Sequence, residues 1–192
     1  MTTQQRSGPG TPVFRFLSQK PFPLHYKSCV HSRDLEQLGH RRLSDFRLRR
    51  SSRIAKEVAK NLRCLERGLW RDVLCHLRGL LHHRGRSRER KAARFLAANL
   101  TGIGPKQSRN LLQNMGLVRY EIPLDSRIVK WLNEFEYPVV LSAAGLADQN
   151  YYEFVLDGVQ ALCARARILP SVLDAVIFAS YDGDKWETVK LD

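Results

Sequence analysis

The chain has 192 residues, enough for one ordinary domain or two small lobes. Its 43% hydrophobic content can supply a core, yet no apolar run approaches the roughly eighteen residues of a membrane span and no signal-like apolar stretch opens the chain, so no membrane partner is expected. A net charge of +13 and a pI near 10.1 point to a polyanionic partner, of which nucleic acid is the commonest.

Residues 1–50 read as a loosely structured basic arm. Gly8-Pro9-Gly10, Pro12, Pro21 and Pro23 are turn and loop signals. Arg41, Arg42, Arg47, Arg49, Arg50 and Arg53 form a basic run of the kind that stays solvated or orders on an anion. Residues 51–98 form an arginine-rich helical region. Over 52–83, Ile54, Val58, Leu62, Leu65, Leu69, Val73, Leu77 and Leu80 recur at helical spacing and make one apolar face. Ser51 or Ser52 is placed to cap that helix, and Gly68 and Gly79 are points where it breaks or bends. His76, His82 and His83 near its end have no acidic or cysteine cluster beside them, which argues against a metal site. After a polar stretch, a helix near 89–99 turns Phe95 and Leu96 inward.

Residues 99–192 carry the second half of the pattern. A glycine hairpin at 100–105 opens a helix from Pro105 to Met115, proline being suited to the first helical turn, and Gly116 ends it. Asp125 is placed as the N-cap of a helix containing Ile128, Val129, Trp131 and Leu132. Two more helices bring in Tyr151, Phe154, Val155, Val159 and Leu162, then Val172, Leu173, Val176 and Ile177. No stretch alternates with a strand period, so the fold is expected to be all-α. Charge divides with the pattern: residues 1–98 hold 23 Lys/Arg against 7 Asp/Glu, and residues 99–192 hold 9 against 12. The first half is therefore the one that attracts phosphates, in a salt-dependent way.

The hairpin has a chemical meaning. Gly102 and Gly104 permit positive φ and close backbone approach, and the helix beyond them presents free N–H groups and its positive end to an anion. Lys106 falls in the first turn of that helix. The helix end, partial burial and the charges of Arg109 and Arg127 would all disfavour its ammonium form, and a neutral amine is a nucleophile able to form a Schiff base. The alternative is a lysine that only binds phosphate. Asp125 is either a simple cap or a carboxylate that also stabilises positive charge developing on a sugar. Asn110 and Asn114 share a helix face with Lys106 and are either base-edge contacts or a solvated polar face.

The run LTGIGPKQSRNLLQNMGLVRYEIPLDSRIVKW, from Leu100 to Trp131, resembles the lysine-bearing helix-hairpin-helix DNA glycosylases. Its segments GIGPKQ, LLQNMG and LDSRI look closest to the compact prokaryotic-type 8-oxoguanine glycosylase/AP lyases. The likeness continues more weakly through Asn150–Phe154 and Val172–Ala175, covering roughly residues 92–185. The resemblance implies helical lobes around a DNA-binding cleft, into which a damaged base is flipped from the duplex. It implies that Lys106 attacks the sugar C1′ and expels the base, that the Schiff base permits β-elimination, and that Asp125 is the catalytic aspartate. Gly102, Ile103, Gly104, Gln107 and Arg127 would hold the DNA backbone. Asn110, Asn114 and Phe178 are candidates for the base pocket, with Trp131, Tyr181 and Trp186 as further stacking aromatics. A monovalent cation, K+ or Na+, would sit on the carbonyls of Leu100 and Gly102, with Ile103 nearby. No organic cofactor is implied. Some relatives hold an iron–sulfur cluster on closely spaced cysteines near the C-terminus. Here only Cys163 lies there, the others being Cys29, Cys64 and Cys75, so no cluster is expected. None of the four fits a zinc or redox spacing, which suggests a reducing compartment.

The readings in competition are therefore distinct in class. The first is a bifunctional glycosylase/AP lyase acting as a monomer on double-stranded DNA carrying an oxidised purine, cytoplasmic and nucleoid-associated if the source is prokaryotic. The second is a non-catalytic duplex-gripping module, which requires neither Lys106 nor Asp125. A water-activating glycosylase would not need the lysine, and an RNA-binding basic protein would leave the hairpin–aspartate spacing unexplained. Residues 1–90 do not match the family's N-terminal lobe. They are either a diverged lobe or a frame-shifted one, and in either case the activity could be impaired.

Overall fold

The computed structural model describes residues 8–26, 29, 32–83 and 85–182, and every absence noted below refers to those residues. They form helices joined by turns, with no strand. The all-α expectation holds at that level. No helix is long and apolar enough to cross a membrane. The chain divides into two compact units, residues 1–73 with 100–102, and residues 74–99 with 103–192.

The first unit departs from the loosely structured arm expected over residues 1–50. Helix α1 (Pro12–Ser18) starts where Thr11 accepts the Phe14 N–H and Pro12 takes the first turn. Helix α2 (Leu35–Asp45) is capped by Asp34, which accepts the Gln37 N–H. The prolines and glycines that read as loop signals flank these helices. Phe16, Leu43, Leu48, Ile54 and Ala55 form a buried cluster, with Phe22 and Phe46 edge-on to Phe16 at 5.3 and 5.4 Å. The dense arginines around these residues mask them in the sequence. Gly39 lets α2 approach α3 (Ser51–Cys64), because a Cβ there would meet the Ala55 methyl at 3.3 Å.

Neither Ser51 nor Ser52 caps α3. Arg50 takes the cap position in a left-handed conformation, φ 60°, with no side-chain cap. The two serines lie inside the first turn, where they reach back to α2. Ser51 Oγ is 3.2 Å from Ser44 Oγ, and Ser52 Oγ is 3.3 Å from His40 Nδ1. The long helix expected over 52–83 breaks at the first of its two weak points. A π turn spans Leu65–Leu69 with Gly68 at φ 118°, and α4 (Trp70–His82) then continues through Gly79.

The second unit contains α5 (Arg86–Asn99), α6 (Pro105–Asn114), α7 (Ser126–Glu134), α8 (Gln149–Ala166) and α9 (Pro170–Asp182). Helix α6 ends at Gly116, φ 68°, where Leu117 N–H returns to the Leu112 carbonyl at 3.0 Å. The core gathers on α8: Tyr152, Val155, Leu156, Val159 and Cys163 pack with Ile122, Leu124, Ile128, Val129 and Leu132, and with Leu173 and Ile177 of α9. Phe95 is partly buried and Leu96 buried, as expected, whereas Phe154, Val172 and Val176 are exposed despite their helical spacing.

Candidate active site

Helices α6 and α7 bring Lys106 and Asp125 together within the second unit. The Lys106 Nζ lies 3.9 Å from Asp125 Oδ2, with the lysine side chain 43% exposed and the aspartate 14%. Each residue sits at a helix start. Gly104 is the N-cap of α6 in extended conformation, leaving its first turn without a side-chain cap. Asp125 caps α7, its Oδ1 accepting the N–H groups of Arg127 at 2.9 Å and Ile128 at 3.2 Å.

Arg127 is bonded to Asp125 itself. Its Nη2 and Nε donate to Asp125 Oδ2 at 2.7 and 3.0 Å, and its guanidinium lies 4.1 Å over the ring of Phe178. Asp125 Oδ2 is thus shared between two cations. Burial alone would raise the Asp125 carboxyl, but the Arg127 hydrogen bond, the Ile128 N–H and the charges of Lys106 and Arg127 outweigh it and hold the group below its ordinary range.

Buried polar groups fix the segment that delivers Asp125. Glu89 Oε2 accepts three successive N–H groups, from Arg119, Tyr120 and Glu121, at 3.1, 2.7 and 3.0 Å. The Tyr152 hydroxyl donates to the Ile122 carbonyl at 2.9 Å and accepts the Leu124 N–H at 2.6 Å. Arg109 was expected to add positive charge beside Lys106. It is instead fully buried: its Nε donates to Glu121 Oε2 at 2.8 Å, its Nη1 to the Pro105 carbonyl at 3.0 Å, and it lies 4.5 Å over the Tyr152 ring. Glu121 also takes Arg90 Nε at 2.9 Å, and Arg94 pairs with Glu153. Helices α5, α6 and α8 thereby hold both ends of the loop before Asp125.

The remaining expected residues lie as follows. In the first unit, Gly102 has φ 75°, and a Cβ there would meet the Glu57 carboxylate at 2.4 Å. Asn61 clamps the adjoining Thr101, donating to its carbonyl at 2.9 Å and accepting its N–H at 2.8 Å. Leu100 is partly buried there, and Ile103, which opens the second unit's longer stretch, is partly buried as well. In the second unit, Gln107 places its side-chain oxygen by Gly104. Asn110 and Asn114 are exposed further along α6, outside the contacts that join Lys106, Asp125, Arg127 and Phe178. Trp131 stacks on Phe135 at 5.1 Å, and the Tyr181 hydroxyl donates to Glu134 at 3.0 Å. Trp186 lies outside the described residues.

Sequence reasoning missed Asp174. Its Oδ2 accepts the Gln113 Nε2 at 2.8 Å. It also missed Asn61 and Glu89, both polar residues on otherwise buried helix stripes, and that misplacement on an apolar face was the available signal. The described residues contain no cluster of histidine, cysteine or carboxylate able to hold a metal. The four cysteines are free thiols, with Cys29 and Cys163 buried and Cys75 exposed. No family model, curated protein or solved structure matches this chain.

Proposed function

We propose that this protein is a DNA glycosylase with AP-lyase activity, acting on an oxidised purine, 8-oxoguanine foremost, in double-stranded DNA. The observation that carries this reading is the Lys106–Asp125 pair, a lysine amine 3.9 Å from a half-buried carboxylate at the starts of two helices. A nucleophile with a fixed negative charge beside it suits displacement at a sugar carbon, where positive charge develops as the base departs. In this reading Lys106 Nζ bonds to C1′ and the C1′–N bond breaks with its electron pair leaving on the base. The aminal then loses a proton from Nζ and its C1′–O4′ bond opens, O4′ taking a proton, to give the Schiff base, and loss of a proton from C2′ expels the 3′ phosphate. Asp125, held ionised by Arg127 and the α7 N–H groups, stabilises the sugar cation. The uncapped start of α6 and the Ile103-Gly104 backbone before it bind a phosphate. A K+ or Na+ ion on the Leu100 and Gly102 carbonyls would suit those neutral oxygen donors and would only stiffen the turn.

One observation favours a second reading, a non-catalytic grip on the duplex: Lys106 stands in an ion pair, and an ammonium at a helix start is a phosphate ligand in its own right. Borohydride trapping on a duplex with a single 8-oxoguanine or abasic site separates the two. The expected result is a covalent adduct that Lys106→Ala abolishes while salt-sensitive duplex binding persists. Binding without any adduct would leave the gripping module as the function.

A further inference from the structure

Asp174 stands near the start of α9 and is tied to α6 by Gln113. Gln113 follows Lys106 by about two helical turns, a spacing that returns to within roughly 20° of the same face. Asp174 also lies one α9 turn before Phe178, whose ring carries the Arg127 guanidinium bonded to Asp125, so this face of α9 meets both α6 and the start of α7. The other amide atom, Gln113 Oε1, is buried and has no hydrogen-bond partner. The charges that act on Asp174 are those of Lys106 from α6 and of Asp125 and Arg127 from the start of α7, and Asp174 acts in turn on the Tyr152 hydroxyl of α8.

The two carboxylates of this cluster are driven apart. Asp125 has its oxygens committed to two backbone N–H groups and to Arg127, and is held low. Burial first, and then the negative charge of Asp125, raise Asp174 against the lowering effects of Gln113, Arg127 and Lys106. Divergence of this kind separates a permanent charge from a group that exchanges protons.

We propose that Asp174 takes the proton from the Lys106 ammonium through an intervening water, while Asp125 remains the fixed negative charge beside the sugar. The inference rests on the Schiff-base reading above. The step balances. An Nζ–H bond breaks as an O–H bond forms on Asp174. The neutral amine then attacks C1′, the C1′–N bond breaks, and the departing base receives the proton that Asp174 holds. Asp174 returns to carboxylate and a cationic amine is left on C1′.

The test measures the rate of borohydride-trapped adduct on an 8-oxoguanine duplex against pH, for the full-length wild type, Asp174→Asn and Asp174→Glu. Asp174→Asn is expected to slow adduct formation at neutral pH by at least about tenfold with duplex binding intact, and to regain rate as pH rises. Asp174→Glu is expected to restore part of the rate. In parallel, carbon NMR of the unliganded wild type should show Asp174 titrating above Asp125. A wild-type rate and pH profile in Asp174→Asn, or the reverse order of titration, overturns this inference alone. An absence of adduct with the wild type removes the Schiff-base reading and this step with it. Should Asp174→Asn fail to fold, the order of titration decides.

Discussion

Arg109 and Glu121 are both fully buried, and each is tolerated chiefly because of the other. Removing one charge leaves the partner stranded in the core. Glu121→Gln is expected to cost about 3 kcal/mol, the lower part of the range for a broken buried pair, because Glu153 Oε1 stands 3.7 Å from Arg109 and compensates in part. The urea midpoint would show it. Asp125 behaves differently, since its carboxyl is held below the unfolded value. Its ionised form contributes stability in full above the ordinary carboxylate range, and that contribution disappears as pH falls through the lowered native value. Asp125→Asn keeps a competent cap but loses the ion pairs. Its melting temperature should fall below that of wild type at pH 7, and the gap should narrow at about pH 3. An unchanged gap would mean that the pairs with Lys106 and Arg127 contribute nothing. The capping role of Asp125 was legible because a cap is local. Arg109 was not: an arginine in a helix reads as solvated, and only the approach of Glu121 from a later loop brings it inside.

Helix α8 shows what periodicity alone leaves out. Its buried Val155 and Val159 were readable and its exposed Phe154 was not, while Gly158 in its middle looks like a weakness to be repaired. An Ala there would ordinarily add up to about 1 kcal/mol of helix propensity. The Tyr137 hydroxyl, however, lies 1.7 Å from where the methyl would go. Gly158→Ala is therefore expected to lower stability by about 1–2 kcal/mol, and to become stabilising in a Tyr137→Ala background. Thermal unfolding of the wild type and the three variants of that cycle gives the sign directly. A gain in the single variant would show that Tyr137 swings aside at no cost. Helix starts fared similarly. Asp125 and Pro105 announced α7 and α6, whereas α3 begins on a left-handed Arg50 because its serines are engaged with α2. Contacts with a second helix settled that boundary, and one helix's sequence does not contain them.

The division of the chain is the feature least visible in the sequence. Composition and charge change near residue 90, and the hairpin suggested a catalytic region beginning at 99. The compact unit that holds Lys106 and Asp125 instead includes residues 74–99. The reason lies in Glu89 and Arg90. Glu89 gathers three backbone N–H groups of the loop before Asp125, and Arg90 bridges Glu121 to Asp157 at 2.9 and 2.6 Å. The consequence is one for dissection of the gene. A fragment cut at residue 99 would keep every residue of the glycosylase-like motif and still lack the side chains that fold the loop carrying its aspartate. Such a fragment is expected to lose cooperative melting, measured by circular dichroism, and a fragment cut at residue 74 to retain more of it. The motif and the smallest piece of protein able to hold it in shape therefore have different beginnings.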